Sequence, residues 1–498
     1  MQRNGSRRTT PKNKSDSPAA AQSAKPAALS SVGGRGRLRR TRATPSASGI
    51  TNFSRVLIAN RGEIAVRIIR ACQELGIETV AVHSTADRDS LHAKLATQSI
   101  CIGPGPSPKS YLSIPAIMAA AEVTGVDAIH PGYGFLSENP EFAEVCGKYG
   151  IKFIGPRPEH IRSLGNKVAA RQLAIKAGVP LLPGSKGVVR SVAEAHEVAR
   201  EVGFPLIIKA AAGGGGRGMK IVREAGDLER LFQLAQSEAL AGFGNPDCFI
   251  ERYCQNPRHV EVQIVADEHG TITHLGERDC SIQRRHQKLV EESPCPVMTP
   301  ERRRAIGATA VRLAETVGYV SLGTAEFLMD EDGQFYFMEV NTRAQVEHPV
   351  TETVAGIDLI KEQIRIAMGY PLSFDPSPEA LVLRGHAMEC RVNAEDPKSF
   401  APWPGKVTAY HEPGGPGVRI DGMLYSGYTV PSLYDSMVAK VICHGRNRDE
   451  CIARMKRALS EMKVDGIRTN IPFHLKLLDD PQFRAGNVST RFLETFQT

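Results

Sequence analysis

The sequence predicts a mixed α/β and α+β protein, with a parallel sheet at its N-terminal end and an antiparallel sheet in its C-terminal half. The first observation is an apolar strand at 56–59, a helical pattern at 62–75 and a second strand at 78–82, which together predict a β-α-β unit. The second is a pair of strand patterns within 324–340, joined by a glycine-containing turn. At 498 residues the chain is long enough for two or three domains.

Residues 1–50 are expected to form a basic tail that has too little apolar material to fold. They hold 11 of the 62 lysine and arginine residues and a single acid, Asp16. The composition resembles an organelle transit peptide; a disordered extension and residues upstream of the true start of translation are the alternatives. Residues 51–498 hold 51 basic and 53 acidic residues, so the net charge of +8 belongs to the tail. The rest of the chain therefore carries no nucleic-acid-binding signature.

The cysteine and apolar patterns narrow the class of protein further. Ten cysteines are scattered from Cys72 to Cys451 without a CxxC pair, which indicates reduced, mostly buried thiols and no zinc site. The sequence contains no run of about 18 apolar residues, so no membrane span is predicted. The tail also lacks the apolar segment that is typical of a secretion signal. We expect a cytoplasmic protein, or a plastid or mitochondrial one if residues 1–50 are a transit peptide.

The first half of the chain contains two glycine-rich segments. The turn after the first strand, Asn60–Glu63, lacks the G-x-G-x-x-G pattern, so it does not support a dinucleotide site. A strand at 127–129 leads into His130–Phe135, which is rich in glycine. Further along, five glycines at 213–218 separate two strand patterns. Such a run allows backbone N–H groups to approach an anion, so a mobile flap over phosphates is one interpretation and a flexible hairpin the other.

The C-terminal hairpin predicts a metal site. If its loop is 331–334, Asp330 pairs with Phe335, and Glu326 then lies opposite Glu339. Directly opposed like charges destabilise a strand pair, by roughly 4 kcal/mol at about 4 Å and an effective dielectric of about 20. A cation between the two carboxylates would remove that cost, and Asn341 lies on the same face. Oxygen ligands of this kind suit Mg²⁺, whereas two solvated glutamates on an edge strand are the alternative.

Several of these segments together resemble biotin carboxylase, a family of the ATP-grasp superfamily. The resemblance covers residues 54–495. It implies an ATP-grasp fold with an N-terminal parallel-sheet domain, a mobile glycine-rich lid and a C-terminal antiparallel-sheet catalytic domain, expected at 53–182, 183–255 and 256–498. The basic tail, expected at 1–52, precedes them. The segments that carry the resemblance are Ala59–Ala65, His130–Asn139, Lys209 with the glycines at 213–218, Glu277–Lys288, Asn341–Pro349 and Glu389–Asp396.

The resemblance implies an ATP-dependent ligase that converts bicarbonate into carboxyphosphate and then carboxylates biotin. It implies that Mg²⁺ or Mn²⁺ is held by Glu326, Glu339 and Asn341, in agreement with the hairpin argument. The residues implied for ATP binding are Lys167, Lys209, Gly214, Gly215, Gly216, Glu251, His259, Gln283 and His286. Without the resemblance, Lys209 would be interpreted as a strand terminus and His259 as an ordinary surface histidine.

The same resemblance implies a bicarbonate site next to a biotin site. Bicarbonate is expected at Lys288, Arg343, Gln345, Val346 and Glu347, and biotin at Tyr133, Gly134, Arg391 and Asp435. The residues implied as catalytic are Glu347, Arg391, Lys288 and Arg343. Glu347 is expected to be the general base, and Arg391 to stabilise the biotin enolate. The alternative for Arg391 is a salt bridge with Glu389 on the same strand face.

We expect a free-standing subunit of acetyl-CoA carboxylase that acts on a separate biotin carboxyl carrier protein. No biotinyl domain with a Met-Lys-Met acceptor is found, and Met462–Val464, which resembles one, is predicted to lie in a helix. Carboxyltransferase subunits are the other expected partners, and the resemblance suggests a homodimer. From the charge balance and the apolar pattern we expect no nucleic-acid or membrane partner. The alternatives are the same subunit of a split pyruvate or propionyl-CoA carboxylase, and a catalytically silent ATP-binding subunit.

Overall fold

The computed structural model describes residues 49–211 and 219–496. The predicted tail up to residue 48 and the glycines at 213–218 therefore lie outside the described residues. All ten cysteines are within them, and each is a free thiol; eight are buried, as the sequence predicts. No helix in the described ranges is both long and apolar enough to cross a membrane.

The N-terminal region is a parallel sheet covered by helices. Apolar strands at its centre are fully buried, and the sheet order is β3-β2-β1-β4-β5 among the described residues. Its first three elements confirm the predicted β-α-β unit to within one residue. The strands are β1 Arg55–Ile58, β2 Glu78–His83, β3 Gln98–Cys101, β4 Ala128–His130 and β5 Lys152–Phe153; the helices are α1 Gly62–Glu74, α2 Leu91–Leu95, α3 Ile114–Thr124, α4 Pro140–Lys148, α5 Pro158–Gly165 and α6 Lys167–Lys176.

A small antiparallel sheet with two helices follows, in the region predicted as the lid. In the described part, its strands run in the order β7-β6-β8, and the apolar faces of the two helices close a separate core against them. The side chain of Ser191, directly before the first of these helices, caps it by accepting a hydrogen bond from the backbone N–H of Glu194. The elements are α7 Val192–Val202, β6 Leu206–Ala210, β7 Met219–Val222, α8 Leu228–Phe243 and β8 Cys248–Arg252.

The C-terminal region is built on a long antiparallel sheet, as predicted. Within the described residues the order is β13-β12-β9-β10-β11-β14-β19-β17. The strands are β9 Arg258–Ala266, β10 Ile272–Arg284, β11 Gln287–Ser293, β12 Ser321–Met329, β13 Phe335–Asn341, β14 His386–Asn393, β15 Gly405–Lys406, β16 Ala409–His411, β17 Val418–Gly422, β18 Thr429–Val430, β19 Met437–Gly445 and β20 Lys463–Asp465. The helices are α9 Pro300–Glu315, α10 His348–Ala355, α11 Leu359–Ala367, α12 Arg448–Glu461, α13 Ile471–Leu477, α14 Pro481–Arg484 and α15 Phe492–Thr495.

The prediction that Met462–Val464 is helical is wrong. Helix α12 ends at Glu461, and Val464 lies in β20, where it pairs with Tyr410 of β16. The pairing to a strand about fifty residues away is a tertiary interaction, and it overrides the local helical pattern.

The hairpin of β12 and β13 confirms that Glu326 lies opposite Glu339, but the predicted turn is wrong by one residue. Met329, not Asp330, pairs with Phe335. A bulge between the pairs Glu326–Glu339 and Phe327–Phe337 leaves Met338 as an extra residue and restores the predicted register. The glycine at 333 has φ +80°, which the tight turn after Asp330 requires.

We predict that the core between the small sheet β7-β6-β8 and its two helices depends on Phe232, which is fully buried on α8. Replacing Phe232 by Ala should lower the local free energy of unfolding by about 3–5 kcal/mol because it removes buried area and leaves a cavity. Amide hydrogen exchange in β6 and β8 measures this effect. The matched control is Leu234→Ala on the same helix, where the side chain is 41% exposed and the change should be below about 0.5 kcal/mol. Equal exchange in the two variants would contradict the assignment.

Candidate active site

The predicted site residues converge on one cavity of about 590 Å³. Asp435 instead lines an adjoining cavity of about 440 Å³, and the two cavities share Tyr133, Gly134, Gln287, Val346 and Arg391. Gly214, Gly215 and Gly216 lie outside the described residues, so their predicted contact with ATP stays a prediction. The predicted residues that line the larger cavity are Tyr133, Gly134, Lys167, Lys209, Glu251, His259, Gln283, His286, Lys288, Glu326, Glu339, Asn341, Arg343, Gln345, Val346, Glu347 and Arg391.

A row of charged residues crosses four neighbouring strands beside this cavity. Glu339 on β13 lies opposite Glu326 on β12, which lies opposite Glu261 on β9; Glu261 in turn lies opposite Arg278 on β10. Opposed residues of an antiparallel pair point to the same face of the sheet. The sheet therefore places three carboxylates side by side, an arrangement that requires cations close by.

Lys288 supplies most of the compensating charge. It lies on β11, and its ammonium group contacts three buried carboxylates: Glu261 at 2.5 Å, Glu326 at 2.9 Å and Glu347 at 2.7 Å. The guanidinium of Arg278 is fully buried and lies 2.5 Å from the other oxygen of Glu261. An ammonium group has three donors, so the three carboxylates use all of them.

Glu347 is held in its ionised form. It is fully buried directly before helix α10, 2.7 Å from Lys288 and 2.9 Å from Arg391. Burial alone would raise its pKa, but Lys288, Arg391 and Arg278 hold the pKa of Glu347 well below its usual range. The adjacent helix N-terminus also favours a negative charge. A buried, ionised carboxylate between two cations can accept a proton from an anion bound to those cations.

Arg391 bridges two carboxylates, and neither of them is Glu389. Its guanidinium lies 2.5 Å from Glu291 and 2.9 Å from Glu347. The alternative of a salt bridge to Glu389 is therefore wrong. Glu389 is fully buried, and neither of its carboxylate oxygens has a hydrogen-bond partner among the described residues. Burial raises the pKa of Glu389 well above its ordinary value, and the guanidinium of Arg391 pairs with Glu291 and Glu347 instead.

Arg343 is fixed in a fork by the residues around it. Its Nε donates to Glu138 at 2.9 Å, and its two terminal nitrogens donate to Gln345 and Asn341, both at 2.9 Å. The same carboxylate of Glu138 accepts the backbone N–H of Thr342 at 3.1 Å. The planar guanidinium is therefore pre-oriented where the predicted bicarbonate residues meet.

The hairpin carboxylates fit a hard divalent cation. Burial raises the pKa of Glu339, and the charge of Glu326 raises it further; Lys288 and His259 instead hold the pKa of Glu326 below its usual range. When two carboxylates lie this close together, the charge of one raises the pKa of the other, so the two pKa values move apart. Asn341 turns its amide nitrogen toward Glu326 at 2.8 Å and its oxygen toward Arg343 at 2.9 Å. Rotation of that amide by 180° would direct its oxygen to the carboxylate pair, so the donor set fits Mg²⁺ or Mn²⁺.

The structure also groups His259, Glu261 and Glu326 within 4.8 Å of one another. Glu261 is already paired with Arg278 and Lys288, so we do not assign it to a metal ion. His259 is buried and lies 2.9 Å from Glu326, which makes the alternative of an ordinary surface histidine wrong. Gln283 lies 3.3 Å from the other ring nitrogen of His259.

Two predicted ATP lysines, Lys167 and Lys209, also line this cavity. Lys167 is the first residue of α6, whose N-terminus is capped by the Asn166 side chain through the N–H groups of residues 168 and 169. This cap leaves the ammonium of Lys167 in the cavity, 3.7 Å from Glu339. Lys209, on β6, lies 2.6 Å from Glu251 on β8. Arg171 of α6 contacts the same carboxylate at 2.6 Å and so links β8 to α6.

Sequence reasoning missed four residues that shape this site: Glu261, Arg278, Glu291 and Glu138. Each acts through a partner far away in sequence; Glu291 and Arg391, for example, are separated by 100 residues. A signal was available for Glu261 and Glu291, since each is a charged residue within an apolar strand pattern. Glu138 lies in the predicted segment His130–Asn139, but nothing local indicates that it holds Arg343.

Sequence profiles of three families match the chain. "Biotin carboxylase, N-terminal domain" matches residues 52–161, "Carbamoyl-phosphate synthase L chain, ATP binding domain" matches 166–374, and "Biotin carboxylase C-terminal domain" matches 389–495. Together the three profiles span both cavities and every predicted site residue.

Relatives of known name are similar over most of the chain. The biotin carboxylase of Haemophilus influenzae is 57% identical over 443 residues, which are 89% of this chain and 98% of the relative. The crystal structure of a biotin carboxylase–ATP complex from Campylobacter jejuni superimposes with a TM-score of 0.86 at 48% identity, covering 89% of this chain and 99% of that one. The biotin carboxylase domain dimer of Hydrogenobacter thermophilus 2-oxoglutarate carboxylase, in complex with MgADP, ADP and bicarbonate, superimposes with a TM-score of 0.84 at 46% identity, covering 89% and 97%.

We predict that Lys288 holds the site together electrostatically. Lys288→Met should lower the free energy of unfolding by about 3–5 kcal/mol at pH 7, because it leaves buried carboxylates without their cation. The lowered pKa of Glu347 contributes stability that is present above its ordinary pKa of 4.5 and is lost as the pH falls below it. The deficit of the variant should therefore shrink only as the pH falls below about 4.5. Urea unfolding at several pH values measures it.

The matched control is Lys152→Met, which removes a lysine that is 42% exposed and 2.9 Å from Glu268. A surface pair of this kind contributes at most about 1 kcal/mol. A deficit in Lys288→Met that equals the control, or that grows at low pH, would show that the three carboxylates do not depend on Lys288.

Proposed function

The chain belongs to the biotin carboxylase family, and on this premise we propose that it carboxylates biotin on a carrier protein as the first half-reaction of acetyl-CoA carboxylase. It is an ATP-dependent ligase with an ATP-grasp fold. The observation that carries the proposal is the meeting of Lys288, Glu347 and Arg391 where the two cavities join. Glu347, the proposed proton acceptor, lies there between Lys288, on the proposed ATP side, and Arg391, on the proposed biotin side.

Lys288 and Arg343 are proposed to bind bicarbonate. The ammonium of Lys288 is kept in place by Glu261 and Glu347, so the donor that points to Glu326 can be exchanged for a bicarbonate oxygen. Arg343 offers a planar fork already held by Glu138. Gln345 and the backbone of Val346 complete the lining of this part of the cavity.

Glu347 is proposed to take the bicarbonate proton. The O–H bond of bicarbonate breaks, the proton moves to a carboxylate oxygen of Glu347, and the freed oxygen attacks the γ-phosphate of ATP. ADP leaves, and carboxyphosphate is formed. Lys167 and Lys209 supply positive charge for the phosphates, and Glu326, Glu339 and Asn341 would hold Mg²⁺ or Mn²⁺, which neutralises phosphate charge when bound.

Arg391 is proposed to act in the second step, in which the ureido nitrogen of biotin loses its proton to the departing phosphate and bonds to the carboxyl carbon of carboxyphosphate. The bond between that carbon and the phosphate oxygen breaks, and phosphate leaves. As the proton is lost, negative charge develops on the ureido oxygen, and a fixed guanidinium at that position stabilises it. The position of Arg391 in both cavities, beside Tyr133 and Gly134, supports this role. Glu291 holds the guanidinium from the other side at 2.5 Å.

A biotin carboxyl carrier protein, carboxyltransferase subunits and a second copy of the chain are the proposed partners. The dimer of the Hydrogenobacter thermophilus relative supports the last of these. That relative also belongs to a carboxylase with another acceptor, so the split pyruvate or propionyl-CoA enzyme stays the alternative to acetyl-CoA carboxylase. A cytoplasmic location is proposed, with the plastid or mitochondrion as the alternative; the ten free thiols support a reducing compartment.

The first test is phosphate release from ATP with Mg²⁺ and bicarbonate. We predict that Glu347→Gln lowers bicarbonate-dependent release at least about 100-fold, because it removes the proton acceptor and keeps the shape of the side chain. ATP affinity, measured by calorimetry, should change by less than about threefold, which is about 0.7 kcal/mol. The matched control is Glu362→Gln, which alters a buried carboxylate outside both cavities. Unchanged turnover in Glu347→Gln would remove Glu347 as the base.

We predict that Arg391→Ala separates the two steps. Biotin-dependent carboxylation should fall by about 100-fold or more, since charge on the ureido oxygen loses its cation. Bicarbonate-dependent ATP cleavage without biotin should fall less, by about tenfold, because Arg391 is one of two cations on Glu347. Comparing the two rates in the same variant measures this. Equal losses in both rates would show that Arg391 serves only the structure.

A further inference from the structure

The turn after β1 has no role in the function proposed above, although it lies against the site. The side chain of Asn60 donates to the backbone carbonyls of Pro131 and Tyr133, each at 2.7 Å. The loop makes its closest approach at Gly132, where φ is +63° and an added Cβ would lie 2.9 Å from the amide nitrogen of Asn60. The segment 130–139, here called the biotin loop, therefore rests directly on this turn.

Glu63, in the first turn of α1, connects the biotin loop to a buried lysine. Its side chain is 3% exposed. One carboxylate oxygen accepts a hydrogen bond from the Tyr133 hydroxyl, and the other lies 3.3 Å from the ammonium of Lys440. Burial raises the pKa of Glu63, and the positive charge of Lys440 opposes this shift.

Lys440 reaches the opposite side of the site. It is fully buried on β19, directly opposite Arg391 on β14 and Asp421 on β17. Its ammonium donates to the backbone carbonyl of Val346 at 2.7 Å. The peptide bond is planar, so fixing that carbonyl also fixes the N–H of the next residue, Glu347. The buried ammonium of Lys440 thus fixes the backbone of segment 343–347, here called the bicarbonate loop.

We propose that Glu63 and Lys440 are positioning residues that couple the biotin loop to the bicarbonate loop through the contacts Tyr133–Glu63–Lys440–Val346. The inference rests on the proposed function, because it uses the biotin and bicarbonate roles of the two loops. A displacement of the Tyr133 hydroxyl weakens its hydrogen bond to Glu63. The altered position of Glu63 shifts the ammonium of Lys440, and with it the hydrogen bond from Lys440 to the Val346 carbonyl. The geometry of the general base therefore depends on the loop that receives biotin.

The other interpretation is that this buried ion pair serves stability alone. Removing one partner of a buried pair is strongly destabilising whatever its function, so a loss of stability does not distinguish the two. The KM for bicarbonate does distinguish them, because a purely structural pair has no reason to change substrate affinity in a folded variant.

The experiment measures phosphate release against bicarbonate concentration, with and without free biotin, in the full chain and two variants. Lys440→Met should raise the KM for bicarbonate by about tenfold, equivalent to about 1.4 kcal/mol, since the Val346 carbonyl loses a charged donor. Glu63→Gln keeps an acceptor for Tyr133 and loses the charge that holds Lys440, so its KM should rise by about threefold. The KM for ATP should stay within about twofold in both variants. Thermal unfolding identifies the temperature at which each variant is folded, and Glu63→Gln carries the test if Lys440→Met does not fold.

The coupling itself is tested by combining Tyr133→Phe with Lys440→Met. If the four residues act as one chain, the effects of the two substitutions on the bicarbonate KM should differ from multiplicative by about threefold or more. Glu362→Gln is the matched control; its carboxylate is 2% exposed and bonds to Ser373, away from both loops, so its KM should not change. An unchanged bicarbonate KM in folded Lys440→Met and Glu63→Gln, or strictly multiplicative effects, would overturn the coupling. Absence of bicarbonate-dependent release in the unmodified chain would instead overturn the proposed function.

Discussion

The site depends on one buried ammonium group, that of Lys288, which lies within 2.9 Å of Glu261, Glu326 and Glu347. Burying three carboxylates around a single cation is unfavourable unless every donor is used and further cations stand nearby. Arg278 and Arg391 meet that requirement, each from a separate strand of the same sheet. The charges therefore constrain one another, and a change in one partner alters the protonation of the others.

The antiparallel sheet explains how so many charges meet in one place. Residues directly opposite each other on neighbouring strands share a face, so a row of four strands brings Glu339, Glu326, Glu261 and Arg278 side by side. Loops supply the remaining residues of the site. Glu347 comes from the turn before α10, and the biotin loop follows a strand of the N-terminal parallel sheet. The cavity forms where these regions face one another, so the chemistry requires all of them to be folded at once.

The local patterns of the sequence predict much of the fold but only part of the site. The β-α-β unit and the opposed Glu326 and Glu339 follow from periodicity, and the structure confirms both. The predicted turn of that hairpin is wrong by one residue, because the alternation of side chains does not reveal the bulge at Met338. The partners of Arg391 could not be predicted from neighbouring residues either. Glu389, two residues away, does not pair with it, and the ion pair forms with Glu291, 100 residues away. The role of each site residue was assigned from the family resemblance, because these roles depend on contacts between residues that are far apart in the sequence.

The most direct measurement is the transfer of labelled carbon from bicarbonate to biotin. The full chain is incubated with ATP, Mg²⁺, labelled bicarbonate and free biotin, and acid-labile label on biotin is measured together with released phosphate. The account predicts label on biotin that requires ATP, with one phosphate released for each carboxyl group transferred. Release of phosphate without label on biotin, or binding of ATP with neither product, would contradict the assignment of biotin carboxylation to this site.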